Sequence, residues 1–522
     1  MIPETSPADV RLAWITRQEI ALLDLREEDP FAKDHPLFAS QLSLSRLELE
    51  ILDRVPRRDT PVVLYDDGEG RVPLAAERLK ALGYGKVSAL AGGLEGWRRA
   101  GHELFQDVNS YSKAFGELVE SRRHTPYVAA PDAKALIERE PNLVVLDARR
   151  FEEYQTMSIP RGVSVPGAEL VLRARELAPD PATTIIVNCA GRTRSIIGAQ
   201  SLINAGLPNK IMALRNGTIG WTLAGQDLEH GQRDRYPDVA EDRAVEARAA
   251  ARAVSYRAGV GHIDPRGLEI LARDTRRTLY RFDVRSPEEY LAGHIPGFRS
   301  APGGQLVQET DVFAPVRGAR IVLADDKGVR ADMSASWLAQ MGWEVYVLDG
   351  GFDGALAWGA WRPTLPVLPD MASLTPAELA PRLDEVVVID VATSPQHRKG
   401  HIPGAWPAVR ASLDQALLVL PEGLDVVFTS PDGALARLAA ADFAPLTPRK
   451  VAVLEGGTAA WVAAGQTLET GLTRAATVID DVYRRPYEGT DNATEAMQAY
   501  LDWEYGLVDQ LARDGTHGFH VI

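Results

Sequence analysis

An α/β protein of four tandem domains, each a small parallel sheet flanked by helices, with a helical tail after the last, is the fold class this sequence predicts. Three observations predict it. The chain has 522 residues, too many for one ordinary hydrophobic core. Apolar strand-like runs alternate with helical stretches, the pattern of parallel sheets covered by helices. One pattern of strands, loops, helix and turn also recurs four times.

The repeat opens with an apolar strand ending in aspartate: Leu23-Asp24-Leu25-Arg26, Leu146-Asp147-Ala148-Arg149, Phe282-Asp283-Val284-Arg285 and Ile389-Asp390-Val391-Ala392. A middle loop follows, built on Ile-Pro-Gly or a remnant of it: His35-Pro36, Ile159-Pro160-Arg161-Gly162, His294-Ile295-Pro296-Gly297 and His401-Ile402-Pro403-Gly404. A second strand, a short loop and a helix come next. A third strand leads to a glycine-rich turn expected to open a Trp-bearing helix: Gly92-Gly93 to Trp97, Asn216-Gly217 to Trp221, Gly350-Gly351 to Gly354, and Gly456-Gly457 to Trp461.

These repeats divide the chain into domains at 1–108, 109–235, 259–368 and 369–472, with a helical linker at 236–258 and a helical tail at 473–522. Residues 109–128 read as a helix joining the first two domains. Residues 227–258, charged and alanine-rich, read as a solvent-facing helix between the halves. Pro363, Pro366 and Pro369 mark the third junction. The aromatic content of the tail (Tyr483, Tyr487, Tyr500, Trp503, Tyr505) predicts docking on another domain.

Cys189 is the only cysteine. An apolar strand (Thr184 to Val187) leads into it, and a helical pattern follows Ser195. Amides at a helix N-terminus cradle anions, and Arg192 and Arg194 sit in the same loop. Both features are expected to lower the thiol pKa and favour the thiolate. The competing reading of a lone cysteine is a small buried core residue.

One cysteine excludes an intrachain disulfide, so no oxidising compartment is required. The segment Met1 to Pro7 has no signal-peptide pattern and no apolar run spans a bilayer, so a cytoplasmic location is expected. The net charge of −15 argues against nucleic acid and anionic membrane as partners. An anionic substrate must then be held by local arginines and amides. The histidines lack metal-ligand spacing, and no phosphate-loop or dinucleotide fingerprint occurs, so neither metal nor cofactor is expected.

The Asp-x-Arg strand, the His-Ile-Pro-Gly loop, the cysteine loop and the Gly-Gly-x-x-x-Trp ending, in that order, resemble the rhodanese family. The resemblance covers nearly the whole chain as four tandem rhodanese-like domains. It implies a parallel sheet with the active loop at the carboxyl end of a strand, and sulfur transfer through a cysteine persulfide. The six positions from Cys189 to Arg194 match the loop of sulfurtransferases; phosphatases and arsenate reductases of this fold carry one residue more. Mercaptopyruvate-specific relatives have glycine after the cysteine and no arginine pair, unlike this loop.

A thiosulfate sulfurtransferase is the activity so implied. Cys189 would be the nucleophile, and Ala190, Gly191, Arg192, Thr193, Arg194 and Ser195 the loop that binds persulfide and substrate. Arg192 and Arg194 would orient the sulfonate of the donor. The partners would be a small anionic donor such as thiosulfate and cyanide or a thiol as acceptor. A phosphatase-like or arsenate-reductase-like enzyme, or a persulfide-binding scaffold without turnover, are the other readings. Ser158 stands where other repeats carry His294 and His401, which removes the nearest histidine base; those two histidines read as loop packing.

Aligned within the chain, Asp66, Asp325 and Ser430 fall opposite Cys189, while Arg71 and Arg330 fall opposite Arg194. A carboxylate or hydroxyl cannot accept and release a sulfane sulfur, so only the second domain can carry the chemistry. The other three read as structural or binding copies. Asp147 and Arg149, with Glu152 or Glu153, read as an ion-pair network that fixes the fold.

Overall fold

The computed structural model describes residues 2–522. It contains four five-stranded sheets of the same strand order, with every pair of neighbouring strands parallel. The first comprises β1 (Glu4–Thr5), β2 (Ala21–Asp24), β3 (Ser40–Gln41), β4 (Val62–Tyr65) and β5 (Val87–Leu90). The second comprises β6 (Tyr127–Val128), β7 (Leu143–Asp147), β8 (Gly162–Ser164), β9 (Thr184–Asn188) and β10 (Lys210–Leu214). The third comprises β11 (Gly261–Ile263), β12 (Leu279–Asp283), β13 (Arg299–Ser300), β14 (Arg320–Ala324) and β15 (Glu344–Leu348). The fourth comprises β16 (Ser373–Leu374), β17 (Val386–Asp390), β18 (Trp406–Pro407), β19 (Asp425–Thr429) and β20 (Val451–Leu454). In the second sheet the order is β6-β10-β9-β7-β8, so β9 is central and its Ile185, Ile186 and Val187 are buried on both faces.

The repeated motifs have repeated physical jobs. Arg149 forks onto Asp147 at 2.9 and 2.7 Å and also donates to the Met157 carbonyl, tying the end of β7 to the middle loop. Arg26 on Asp24 and Arg285 on Asp283 do the same. The fourth repeat has Ala392 instead of arginine, and His397 Nδ1 lies 2.8 Å from Asp390 in its place. His35, Ser158, His294 and His401 each form an antiparallel bridge to the segment that leaves the domain. That bridge is made by backbone groups, so serine serves in the second domain as well as histidine in the others. Trp97, Trp221 and Trp461 are fully buried, and each indole N–H donates to the carbonyl six residues on. The third repeat departs from expectation: after Gly350-Gly351 no helix forms, and Trp358 is exposed.

The domains are not beads on a string. One apolar core runs through the first and third sheets, the helix Ser110–Arg123 and the end of the chain. Ser110 through Val119 are all buried, so the helix expected as a connector is a central pillar. The helix Glu241–Arg257 also differs from its expected solvent-facing role. Ala244, Ala247, Ala251 and Val254 form a buried stripe against the second and third domains. Small side chains let those elements approach closely, while the charges occupy the outer face. Buried ion pairs and hydrogen bonds join the domains: Arg410 on Glu48 at 2.8 and 2.9 Å, Arg330 on Glu169 at 2.9 Å, and the Trp337 indole on Ser201 at 2.9 Å. No helix among the described residues is long and apolar enough to cross a membrane.

Candidate active site

Cys189 follows the last residue of β9, and the helix Thr193–Asn204 begins four residues later. A glycine turn holds this loop from the other side. Gly217 has φ +53°, and a Cβ there would lie 2.2 Å from the Cys189 carbonyl oxygen. Without one, the next amides reach the loop: Thr218 N–H donates to the Cys189 carbonyl at 2.9 Å and Ile219 N–H to that of Ala190 at 3.0 Å. The first and fourth domains repeat the contact, Leu94 onto Asp66 and Thr458 onto Ser430. The Gly-Gly and Asn-Gly signatures therefore serve the loop as well as the helix they precede.

The four loops differ in what fills their ring of amides. The Asp66 carboxylate accepts from the N–H groups of Gly68, Arg71 and Val72 at 3.1, 2.6 and 3.3 Å. Asp325 accepts from Lys327, Val329 and Arg330 amides at 3.2, 2.9 and 2.7 Å, and from the Arg330 guanidinium at 3.0 Å. Ser430 Oγ accepts from Gly433 and Ala436 at 3.1 and 3.2 Å. Cys189 offers no oxygen. The corresponding amides of Gly191 and Arg194 have no protein acceptor among the described residues.

The two loop arginines part company. Arg194 makes a bidentate pair with Glu153 at 2.8 Å on each arm. Burial alone would raise the Glu153 pKa, but Arg194, with Arg149 and Arg150, outweighs it and brings it down to about 2. Arg330 meets Glu289 at the matching place in the third domain, through one hydrogen bond of 2.6 Å. Arg194 thus pins the loop to the segment after β7 while keeping its charge beside Cys189.

Arg192 corrects the expectation of a substrate-binding side chain. It is 3% exposed and grips Glu117 on the central pillar at 2.7 and 2.8 Å. It also pairs with Glu120, reaches Asn216 at 3.2 Å, and lies 4.2 Å from the centre of the Tyr505 ring. All its donors face protein partners, so none is left to meet a donor sulfonate.

The expectation of an acidic thiol is corrected as well. Cys189 is 1% exposed. Burial pushes its pKa up, and the opposing pull of Arg194 and of the Ser195 hydroxyl and amide does not overcome it. The C-terminal tail, whose docking place the sequence left open, packs on this loop beside the central pillar and the Gly217 turn. Tyr487, Met497, Tyr500 and Leu501 form one apolar cluster with Ala190 and Ile219. A Cβ on Gly191 would lie 3.1 Å from the Tyr500 ring, so any larger side chain there would press on the tail.

Glu504 is buried under the same roof. The Tyr500 hydroxyl donates to its Oε1 at 2.8 Å, and its Oε2 has no hydrogen-bond partner. Burial, reinforced by Glu117 and opposed by Lys113, Tyr500 and Arg192, raises its pKa to about 8. The folded state therefore holds a proton there that the unfolded chain releases near 4.5. Stability from this group is full below about pH 4.5 and is lost as the pH rises towards about 8. Glu504→Gln, neutral at every pH, is expected to match the parent in thermal denaturation below about pH 4.5, to exceed it by a margin that grows between about pH 4.5 and 8, and to hold that margin above about pH 8. A constant difference between the two across this range would contradict the assignment.

Comparison with known proteins follows the geometry. The Rhodanese-like domain model matches residues 8–100, 129–224, 270–357 and 375–464. The crystal structure of a thiosulfate sulfurtransferase from Pseudomonas aeruginosa is similar over 100% of both chains, with 59% identity and a TM-score of 0.97. The thiosulfate sulfurtransferase GlpE of Pseudoalteromonas translucida (strain TAC 125) is 34% identical over 82 residues, 15% of this chain and 70% of that protein. The HTH-type transcriptional regulator Rv0324 of Mycobacterium tuberculosis is 32% identical over 108 residues, 20% of this chain. The match spans about half, 47%, of that regulator's length.

Proposed function

This chain belongs to the rhodanese family and is a sulfurtransferase of the thiosulfate sulfurtransferase type, and we propose that it works through a persulfide on Cys189. The observation that carries this reading is the contrast among the four loops. Three fill their amide ring with their own oxygen; the second presents a thiol and leaves the Gly191 and Arg194 amides free.

The Cys189 thiol first gives up its proton to water, and the thiolate attacks the outer sulfur of thiosulfate. A new S–S bond forms, the bond to the sulfonate sulfur breaks, and its electron pair leaves with sulfite. The terminal persulfide sulfur, carrying the negative charge, settles against the free amides beside the Arg194 cation. An acceptor nucleophile then attacks that sulfur. The S–S bond to Cys189 breaks and the electron pair returns to the thiolate, leaving thiocyanate when cyanide is the acceptor. Arg194 supports both half-reactions as a fixed positive charge that lowers the cost of a buried anion. No acid is needed to protonate a leaving group, because both bond-breaking steps expel anions.

Two half-reactions with a covalent intermediate require ping-pong kinetics. Initial rates with thiosulfate and cyanide are expected to give parallel double-reciprocal lines. Intersecting lines, the sign of a ternary complex, would contradict the persulfide route.

A further inference from the structure

We propose that the C-terminal segment Tyr487–Tyr505 selects acceptors by size at Cys189, admitting small, slender nucleophiles and excluding glutathione-sized and protein thiols. The proposal rests on the persulfide reading for its chemistry, but its geometry stands on its own.

Cys189 is 1% exposed, and on one side of its loop this segment packs against Ala190 and Gly191. Tyr500 lies against Gly191, and Tyr487 packs edge-on to Tyr500 at 5.3 Å. The roof is anchored at both ends. Arg485 pairs with Glu28 of the first domain at 3.2 Å, and the Tyr505 hydroxyl meets Arg192 and Asn216 at 3.1 and 3.0 Å. Lys113 rises from the central pillar beneath the rings of Tyr487, Tyr500 and Trp503, 5.1 to 5.6 Å from their centres, held by Asp107 at 2.8 Å. A roof fixed at its edges and stacked on a cation can yield locally without swinging clear. The stretch before its helix, residues 487–493, contains no helix or strand, so local displacement there breaks no ladder of backbone bonds.

The two clefts bordering Arg194, between the second and third domains, are lined by Arg194 but not by Cys189. On the proposed route an acceptor reaches Cys189 past the aromatic side chains of the tail. Cyanide or hydrosulfide, being small, asks the least displacement of these rings. A thiol borne on a peptide brings a backbone that meets Tyr487 and Tyr500 before its sulfur meets the persulfide.

Because Cys189 is the only thiol, alkylation of the full chain reports on this site alone. The probes are N-ethylmaleimide and a polyethylene-glycol maleimide, which share one reactive group and differ in bulk. In the parent the bulky reagent is expected to react far more slowly than the small one. Tyr500→Ala is expected to reduce that rate ratio about tenfold. The ratio of kcat/KM for cyanide over glutathione should fall in parallel. Met497→Ala, tested the same way, keeps the proposal open to refutation if Tyr500→Ala does not fold. Equal rates for both reagents in the parent, or an unchanged ratio in the variant, would overturn the proposal. Size-dependent alkylation in a protein that gains no sulfur from thiosulfate would support the roof and refute the persulfide reading.

Discussion

Cys189→Ser is expected to abolish thiosulfate-dependent sulfur transfer, a loss on the order of 10⁴-fold or more, while leaving the fold intact. Serine is nearly isosteric, and the loop is held by the Gly217 turn and the Arg194–Glu153 pair rather than by the thiol. Oxygen cannot form or release a persulfide, because the exchange needs a polarizable thiolate as both nucleophile and leaving group. The hydroxyl is also expected to fill the amide ring as Ser430 does in the fourth domain, where Oγ accepts from two amides. Rates with thiosulfate and cyanide, with circular dichroism as the control for folding, check this. Retained transfer would mean that another group carries the sulfur.

Arg192→Ala is expected to act on stability first. The guanidinium is the partner of Glu117, buried on the central pillar, and of Glu120. Removing it leaves carboxylates without their counter-charge, a loss of about 3–5 kcal/mol for a buried pair. Burial already raises the Glu117 pKa against the pull of Arg192, so without the arginine the carboxyl should take up a proton nearer neutral pH. The expected signature is a lowered Tm that partly recovers at acidic pH. A variant as stable as the parent, with a raised KM for thiosulfate, would instead make Arg192 a substrate-binding residue.

The contrast between these two residues shows what the sequence could reveal. Motifs whose partners lie close along the chain were legible: Asp147 and Arg149 are two residues apart, and strand β9 leads straight into Cys189. The four-fold repeat turned such local signals into a fold. The partners of Arg192 lie 72 and 75 positions earlier, on a helix whose all-round burial follows from contacts with several domains at once. Nothing near Arg192 in sequence distinguishes an arginine awaiting substrate from one already paired. The misread helix at 241–257 did carry a signal, since Ala244, Ala247, Ala251 and Val254 recur at helical spacing. Alanine is a weak mark of burial, and the surrounding charges obscured it. The thiol pKa was misjudged for a similar reason. The loop and its arginines are visible around Cys189, whereas the tail that packs on this loop comes from about 300 residues downstream, at Tyr487 to Glu504.

Intact-protein mass spectrometry after incubation with thiosulfate tests the central claim most directly. A single thiol makes the result unambiguous. The account predicts a gain of one sulfur atom in the parent, removed by cyanide with the appearance of thiocyanate, and no gain in Cys189→Ser. An unchanged mass in the parent under conditions of active turnover, or a sulfur gained by Cys189→Ser, would contradict it.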